Sequence, residues 1–238
     1  MSPLELLIAG LTVAIGSCLQ GTVGFGLGLL GAPILALIDR DLVPAPLIMA
    51  SLLLTLGTSY RERGAIDAGV RWALLGRIPG TLLGAYVIAT VPERPVAITL
   101  GVLVLLAVLV SLSGWAVAPT TRSLFMAGAV SGFTGTATSI GGPPMALVYQ
   151  RARGATLRGT MSLYFLVGSL LSLAVLAAFG KLGAREIRAS LELAPFVAAG
   201  FAGSRLAARV LDRGHTRAAV LAASAVSAVL LIGNELLR

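Results

Sequence analysis

The chain alternates long uncharged stretches with short charged gaps. Seven stretches of at least 15 residues contain no Lys, Arg, Asp or Glu, and several exceed the roughly 18 apolar residues that mark a membrane-spanning helix. They cover residues 6–38, 42–60, 78–92, 96–121, 123–150, 159–180 and 218–234. The gaps are too short for a soluble domain, so the pattern predicts one all-α, polytopic membrane domain over residues 1–238.

Within these stretches the pattern predicts ten helices. Their expected bounds are 4–20, 26–38, 42–60, 69–91, 95–115, 122–133, 139–150, 156–180, 190–211 and 215–236. A cleaved signal peptide is the alternative at the N-terminus. No Lys or Arg precedes the first apolar run, however, and that run is far longer than the hydrophobic core of a signal peptide. We therefore predict that the first helix is a membrane segment.

The composition agrees with a membrane protein and argues against a nucleic-acid-binding one. Hydrophobic residues make up 57% of the chain and charged residues 12%, against roughly 25% charged in a soluble domain. The net charge is +8, but the 18 Lys and Arg lie mainly in the short gaps rather than on one basic face. They are typical of topology signals.

The first uncharged stretch is too long for one straight helix. Its 33 residues would extend about 50 Å, whereas the hydrocarbon core is about 30 Å thick. Glycines recur from Gly16 to Gly31, and Pro33 follows them. Because glycine loosens a helix and proline removes a backbone donor, we expect the chain to break or fold back here.

Residues 123–150 repeat this arrangement. A shift of 110 residues places 31–37 on 141–147, and a shift of 119 then aligns Tyr60 with Phe179 and Gly84 with Gly203. Their order along the chain predicts an internal duplication, with repeats at about 4–115 and 122–236.

The number of crossings in each Gly-rich stretch decides the orientation. If each stretch crosses once, Lys and Arg divide eight to seven between the two sides, which is no bias. If each is a hairpin or two crossings, the halves are inverted, and the side that holds Arg61 carries nine against six. The positive-inside rule favours this second arrangement, with both termini outside.

Polar but uncharged residues surround both interruptions. Two interruptions in corresponding positions point to a transporter site, because irregular backbone at membrane depth is tolerated where it is buried or lines a cavity. Helix N-termini that begin there offer N–H groups and a positive dipole end to a small oxyanion. The alternative is that the glycines serve helix crossing and the hydroxyls bond their own helix. The candidate binding residues are Gln20, Thr22, Gly24, Phe25, Gly26, Gly31, Pro33, Gly135, Thr136, Thr138, Ser139, Gly141, Gly142 and Pro143.

Arg77 lies inside an otherwise apolar predicted helix, six residues beyond Arg71. An ionisable residue within a span is a functional candidate, and a cation there attracts an anion. The alternative is that its side chain extends to the cytoplasmic interface from about one and a half turns inside.

At these residues the chain resembles the sulfite exporter TauE/SafE family of small bacterial membrane permeases. The resemblance rests on 24–26 through 31–33, on 135–143 and on the Arg61-to-Asp67 loop, and with the duplication it covers essentially the whole chain. Ala32 stands where the first motif is expected to carry a glycine. The resemblance implies transport of sulfite, sulfonates or related small anions across the bacterial inner membrane.

We therefore predict a permease that exports a small anion by alternating access between its halves. An anion channel is the alternative, because the same breaks can line a pore. An intramembrane enzyme is a weaker one: the only histidine, His215, falls in a predicted loop, and the chain has one cysteine, Cys18. We expect no metal or other cofactor and no nucleic-acid partner. The expected partners are the small anion and the lipid bilayer, and a homo-oligomer remains possible.

Overall fold

The computed structural model of the chain is all-helical, as the pattern predicts. It describes residues 1–114, 117–152, 154–210 and 213–237, with the backbone alone for residue 93 and for 208–210 and 213–220. These residues form α1 (Pro3–Val23), α2 (Leu27–Ile38), α3 (Ala45–Arg61), α4 (Val70–Thr90), α5 (Glu93–Ser113), α6 (Thr121–Thr138), α7 (Gly142–Tyr149), α8 (Gly154–Ala178), α9 (Ala184–Val210) and α10 (Arg213–Leu237). A single 3-10 turn, Arg40–Leu42, precedes α3.

The predicted helices differ from these mainly at two ends. α6 continues to Thr138 instead of ending at 133, and the Ser139 N–H donates to the Gly135 carbonyl to close its last turn. α9 begins at Ala184 instead of 190, where an Arg188–Glu192 ion pair one turn apart stabilises a charged segment that was expected to be a loop. His215 lies in the first turn of α10 rather than in a loop, and its side chain is outside the described residues.

Several helices are long and apolar enough to cross a membrane. In the described part of the chain these are Pro3–Val23, Arg40–Arg61, Val70–Thr90, Arg94–Ser113 and Gly154–Ala178. Large apolar side chains such as Leu83, Leu109 and Leu230 are more than half exposed on the outside of the bundle. A surface of that kind suits lipid, and the chain is a multi-pass membrane protein.

The first interruption lies between α1 and α2. Gly24 and Gly26 adopt φ angles of 104° and 138°, which only glycine reaches without strain. The Gln20 side-chain oxygen accepts the Leu27 N–H at 3.2 Å and so joins the end of α1 to the start of α2. Pro33 lies inside α2 and does not end it.

The second interruption makes a hairpin of α6 and α7. Ser139 ends α6 with a φ of 63°, and the hydroxyls of Ser131 and Thr134 on α6 donate to the Gly141 and Ile140 carbonyls. The Leu147 carbonyl near the end of α7 accepts the Val117 N–H, just before α6 begins. α7 therefore returns to the end of the molecule from which α6 starts.

α1 and α2 form a hairpin that runs in the opposite direction to the α6–α7 hairpin. α1 runs parallel to α9, since a methyl at Gly10 would meet Phe196 and one at Gly21 would meet Ser204. Arg185 at the start of α9 pairs with Asp39 and Asp41, directly after α2. Hence α2 returns to the end where α1 begins. α1 and α6 start at opposite ends, since Arg61, shortly before α4, contacts the end of α1 and α4 runs parallel to α6. The inverted duplication stays a prediction.

The helix contacts between the two halves are matched. α4 packs on α6 and α9 packs on α1, while α3 faces α8 and α5 faces α10. The α4–α6 contact is backbone against backbone: a methyl on Gly76 or Gly80 would stand 2.0 Å from the carbonyl oxygen of Phe125 or Ala129. Small residues at every fourth position allow this approach. α4 is therefore held closely against the arm of the second hairpin.

Candidate functional site

The two interruptions meet at one small cavity between the halves. The Gly28 Cα of α2 lies so close to the Ser139 carbonyl that an added methyl would approach its oxygen to 2.0 Å. The volume of the cavity is about 30 Å³. It is lined by Gln20, Phe25, Gly26, Gly28, Leu29, Leu47, Ile48, Ser51, Arg77, Gly135, Ser139, Ile140, Gly141, Gly142, Pro143, Phe165 and Ser169.

Arg77 is the one charged residue among these lining side chains. It is 3% exposed, so its side chain does not extend to the interface as the alternative interpretation proposed. Its guanidinium carbon lies 4.8 Å from the centre of the Tyr164 ring. The Arg77 Nε and Nη1 atoms are buried without a hydrogen-bond partner in the described part of the chain. α4 thus carries an unpaired cation into the cavity.

The remaining polar groups of the lining are neutral. Gln20 spans the first interruption, because its oxygen accepts from Leu27 while its Nε2 donates to the Ser51 hydroxyl at 3.4 Å. Ser139 donates to the Pro44 carbonyl at 2.9 Å and ties the second interruption to the start of α3. The cavity therefore combines one positive charge with amide and hydroxyl groups, and its described lining contains no carboxylate.

The helix N-termini at the cavity supply fewer free N–H groups than the sequence pattern suggested. Gln20 already accepts the Leu27 N–H of α2. In α7 the second and third residues are Pro143 and Pro144, which have no N–H. Arg77 therefore supplies the one full positive charge of the described lining.

Nine of the fifteen predicted site residues line the cavity and six do not. Three of the six are threonines whose hydroxyls bond other groups of the protein. Thr22 donates to the Cys18 carbonyl, Thr138 to the Thr134 carbonyl, and Thr136 bonds the Ser172 hydroxyl. The first two are bonds within the same helix, as the alternative interpretation held, although Thr22 also contacts the Ser204 carbonyl of α9 at 3.2 Å. The other residues outside the cavity are Gly24, Gly31 and Pro33.

Several lining residues were not predicted. α3 and α8 contribute the Ser51 and Ser169 hydroxyls together with Phe165, and no break or charge marks these positions in the sequence. The duplication does not mark them either, because the shift of 119 that aligns the later helices places Ser51 on Leu170. The others are Gly28, Leu29, Leu47, Ile48 and Ile140.

Ion pairs join the halves at both ends of α3. At its C-terminal end Glu62 accepts from Arg158 of α8 at 2.9 Å, and Arg61 donates to the Gly21 carbonyl at 2.7 Å. At its N-terminal end Arg40 pairs with the buried carboxylate of Glu235 in α10. Together with the Arg185 pairs, these contacts enclose the cavity between two charged layers that each connect the first half to the second.

Comparison with known proteins identifies the family. No curated protein and no solved structure matches this chain. The model of a protein family described as "Sulfite exporter TauE/SafE" matches residues 8–231 of the 238. The match includes both interruptions, Arg77 and the Glu62–Arg158 pair, whereas Glu235 lies beyond its end. The chain therefore belongs to the sulfite exporter TauE/SafE family of membrane transporters.

Proposed function

We propose that this protein exports sulfite or a similarly compact sulfur oxyanion across the bacterial inner membrane, with Arg77 as the counter-ion. The family supports a membrane exporter of sulfur anions. The observation that carries the site is the buried guanidinium of Arg77, whose Nε and Nη1 have no partner in the described residues. A buried charge without an ionic partner costs roughly several kcal/mol, and an anion in the adjoining cavity offsets part of that cost.

The size of the cavity favours the smallest anions of the class. Its volume of about 30 Å³ is far below the roughly 300–1,000 Å³ of sites that enclose drug-sized ligands. An anion with a single sulfur and three oxygens requires a limited widening. A sulfonate with a two-carbon chain and an amino group requires more, and its ammonium meets Arg77 rather than a carboxylate.

Alternating access is the transport mechanism that we propose. A rocking motion of one half against the other must break ion pairs at one end and keep those at the other. The charged layers around Glu62 and around Arg40 offer two such alternatives, because each joins the two halves. In an open channel neither charged layer has to form or break during transport. The flux would then be ohmic and would not saturate.

Flux from proteoliposomes loaded with labelled sulfite tests the proposal. We expect saturable efflux, inhibited by unlabelled sulfite more strongly than by taurine. Arg77→Met should abolish efflux, and Arg77→Lys should retain part of it, because a point charge replaces the planar donor. Arg71→Met is the matched control, since Arg71 lies exposed at the start of the same helix.

Two results overturn the proposal in different ways. Wild-type sulfite efflux in a folded Arg77→Met variant removes Arg77 from the site. Efflux that rises linearly with sulfite concentration and shows single-channel currents in bilayers removes alternating access and favours the channel.

A further inference from the structure

The guanidinium of Arg77 occupies space that a single glycine leaves open. An added methyl on Gly168 of α8 would stand 2.1 Å from the Arg77 Cζ, 2.1 Å from Nε and 2.7 Å from Nη1. Real side chains do not approach that closely, so alanine at 168 and the observed position of Arg77 exclude each other. Gly168 therefore belongs to the surroundings of the guanidinium although it does not line the cavity.

Gly168 has no conformational reason to be glycine. It lies in the interior of α8, and it is not among the glycines with a positive φ. Glycine inside a helix is less stable than alanine, because it loses more backbone freedom on folding. Contact with the guanidinium is the feature of this position that demands the missing side chain.

Tyr164, one turn before Gly168, completes the enclosure. Its ring is fully buried, and the face of the ring lies 4.8 Å from the guanidinium carbon. The negative face of an aromatic ring stabilises a cation, most of all where water is excluded. It compensates part of the charge of Arg77.

We infer that Gly168 and Tyr164 of α8 are positioning residues, which hold the Arg77 guanidinium in the orientation that binds the anion. The inference rests on the proposed function, since it assigns the residues that act through Arg77. It also makes the site shared between halves: the cation comes from α4, and its support comes from α8. Movement of α8 relative to α4 changes the orientation of the cation and hence the affinity for the anion.

Gly168→Ala tests the inference because it displaces a flexible side-chain end rather than a backbone. The protein should fold, with sulfite affinity reduced about tenfold, as expected when one well-placed charged contact is misaligned. Gly203→Ala is the control, since nothing lies within 4 Å of a methyl at that helical position. Tyr164→Phe should keep the affinity of the wild type, and Tyr164→Leu should weaken it severalfold.

A double-mutant cycle in the absence of sulfite separates this inference from the proposed function. We expect Gly168→Ala to lower the melting temperature of the wild type and to leave that of Arg77→Ala unchanged or raised, because the colliding group is gone. Equal effects of Gly168→Ala in both backgrounds, or unaltered affinity in Gly168→Ala and Tyr164→Leu, overturn the inference. A positive cycle with wild-type sulfite binding in Arg77→Ala overturns the proposed function instead.

Discussion

Two glycine-to-alanine substitutions should change the free energy of unfolding in opposite directions, because Gly80 lies in the close contact between α4 and α6 and Gly233 of α10 does not. A methyl at Gly80 would lie 2.0 Å from the Ala129 oxygen, 2.8 Å from its carbonyl carbon and 2.9 Å from the Phe133 nitrogen. All three atoms are backbone. Since Cβ atoms essentially never come within 3.0 Å of such atoms, the two helices must separate by about 1 Å locally to accommodate alanine.

The expected magnitude follows from two opposing effects. Overpacking a closely packed site costs about 1–3 kcal/mol, and three opposing backbone atoms place Gly80→Ala at the upper end. Alanine regains about 1 kcal/mol of helix propensity over glycine. The free energy of unfolding should therefore fall by about 2 kcal/mol. Gly233→Ala in α10 meets no atom within 4 Å and should raise stability by up to about 1 kcal/mol.

Unfolding of the purified protein from mild detergent by added SDS, followed by circular dichroism, measures the difference of about 3 kcal/mol between the variants. Because α4 carries Arg77, Gly80→Ala should also reduce sulfite efflux, whereas Gly233→Ala should not. Equal unfolding free energies for the two variants would refute the backbone contact between α4 and α6.

Two further predictions concern the neighbourhood of the cavity. Thr138→Val should retain wild-type sulfite efflux, because the buried Thr138 hydroxyl donates only to its own helix at Thr134; loss of efflux in a stable variant would assign that hydroxyl to the anion. Glu62→Gln should alter the maximal rate of efflux while leaving sulfite affinity near that of the wild type, because it removes the Arg158 pair outside the cavity. A large change in affinity alone would contradict the placement of this ion pair outside the binding site.

The sequence predicted the helices well because charge marks their ends. Charged residues cannot be placed cheaply in hydrocarbon, so the gaps between uncharged stretches coincide with loops. The main errors have a local cause. The charged start of α9 forms an ion pair one turn apart and remains helical outside the apolar stretch. The Ser139 N–H closes the last turn of α6 on the Gly135 carbonyl.

Individual side chains at the interruptions were harder to predict. Thr138 and Ser139 are neighbours in sequence, yet the first bonds within α6 and the second reaches the Pro44 carbonyl at the cavity. The positive φ of Ser139 separates them, since it turns the chain out of the helix at that residue. A count of polar residues near a break does not contain this information.

The position of Arg77 depended on contacts that are distant in the sequence. Whether an arginine six residues inside a helix reaches the interface or the interior is decided by the space available around it. That space comes from Gly168, 91 residues away, and from the Tyr164 ring. Both residues resemble ordinary positions of an apolar helix, so only the packing of α8 against α4 reveals their connection with the charge.

The charge of the described lining has a consequence for the energetics of export. Arg77 is its one ionisable side chain, so an anion in this cavity would meet a single positive charge and no carboxylate to exchange a proton with it. A negative membrane interior favours outward movement of an anion by about 2.3 kcal/mol per charge per 100 mV. If Arg77 stays in place as the anion leaves, this electrical driving force favours export without a coupled proton. Acid-driven flux at zero membrane potential would require a proton carrier elsewhere in the chain, and the buried carboxylate of Glu235, paired with Arg40 beyond the cavity, is the first residue to substitute in that case.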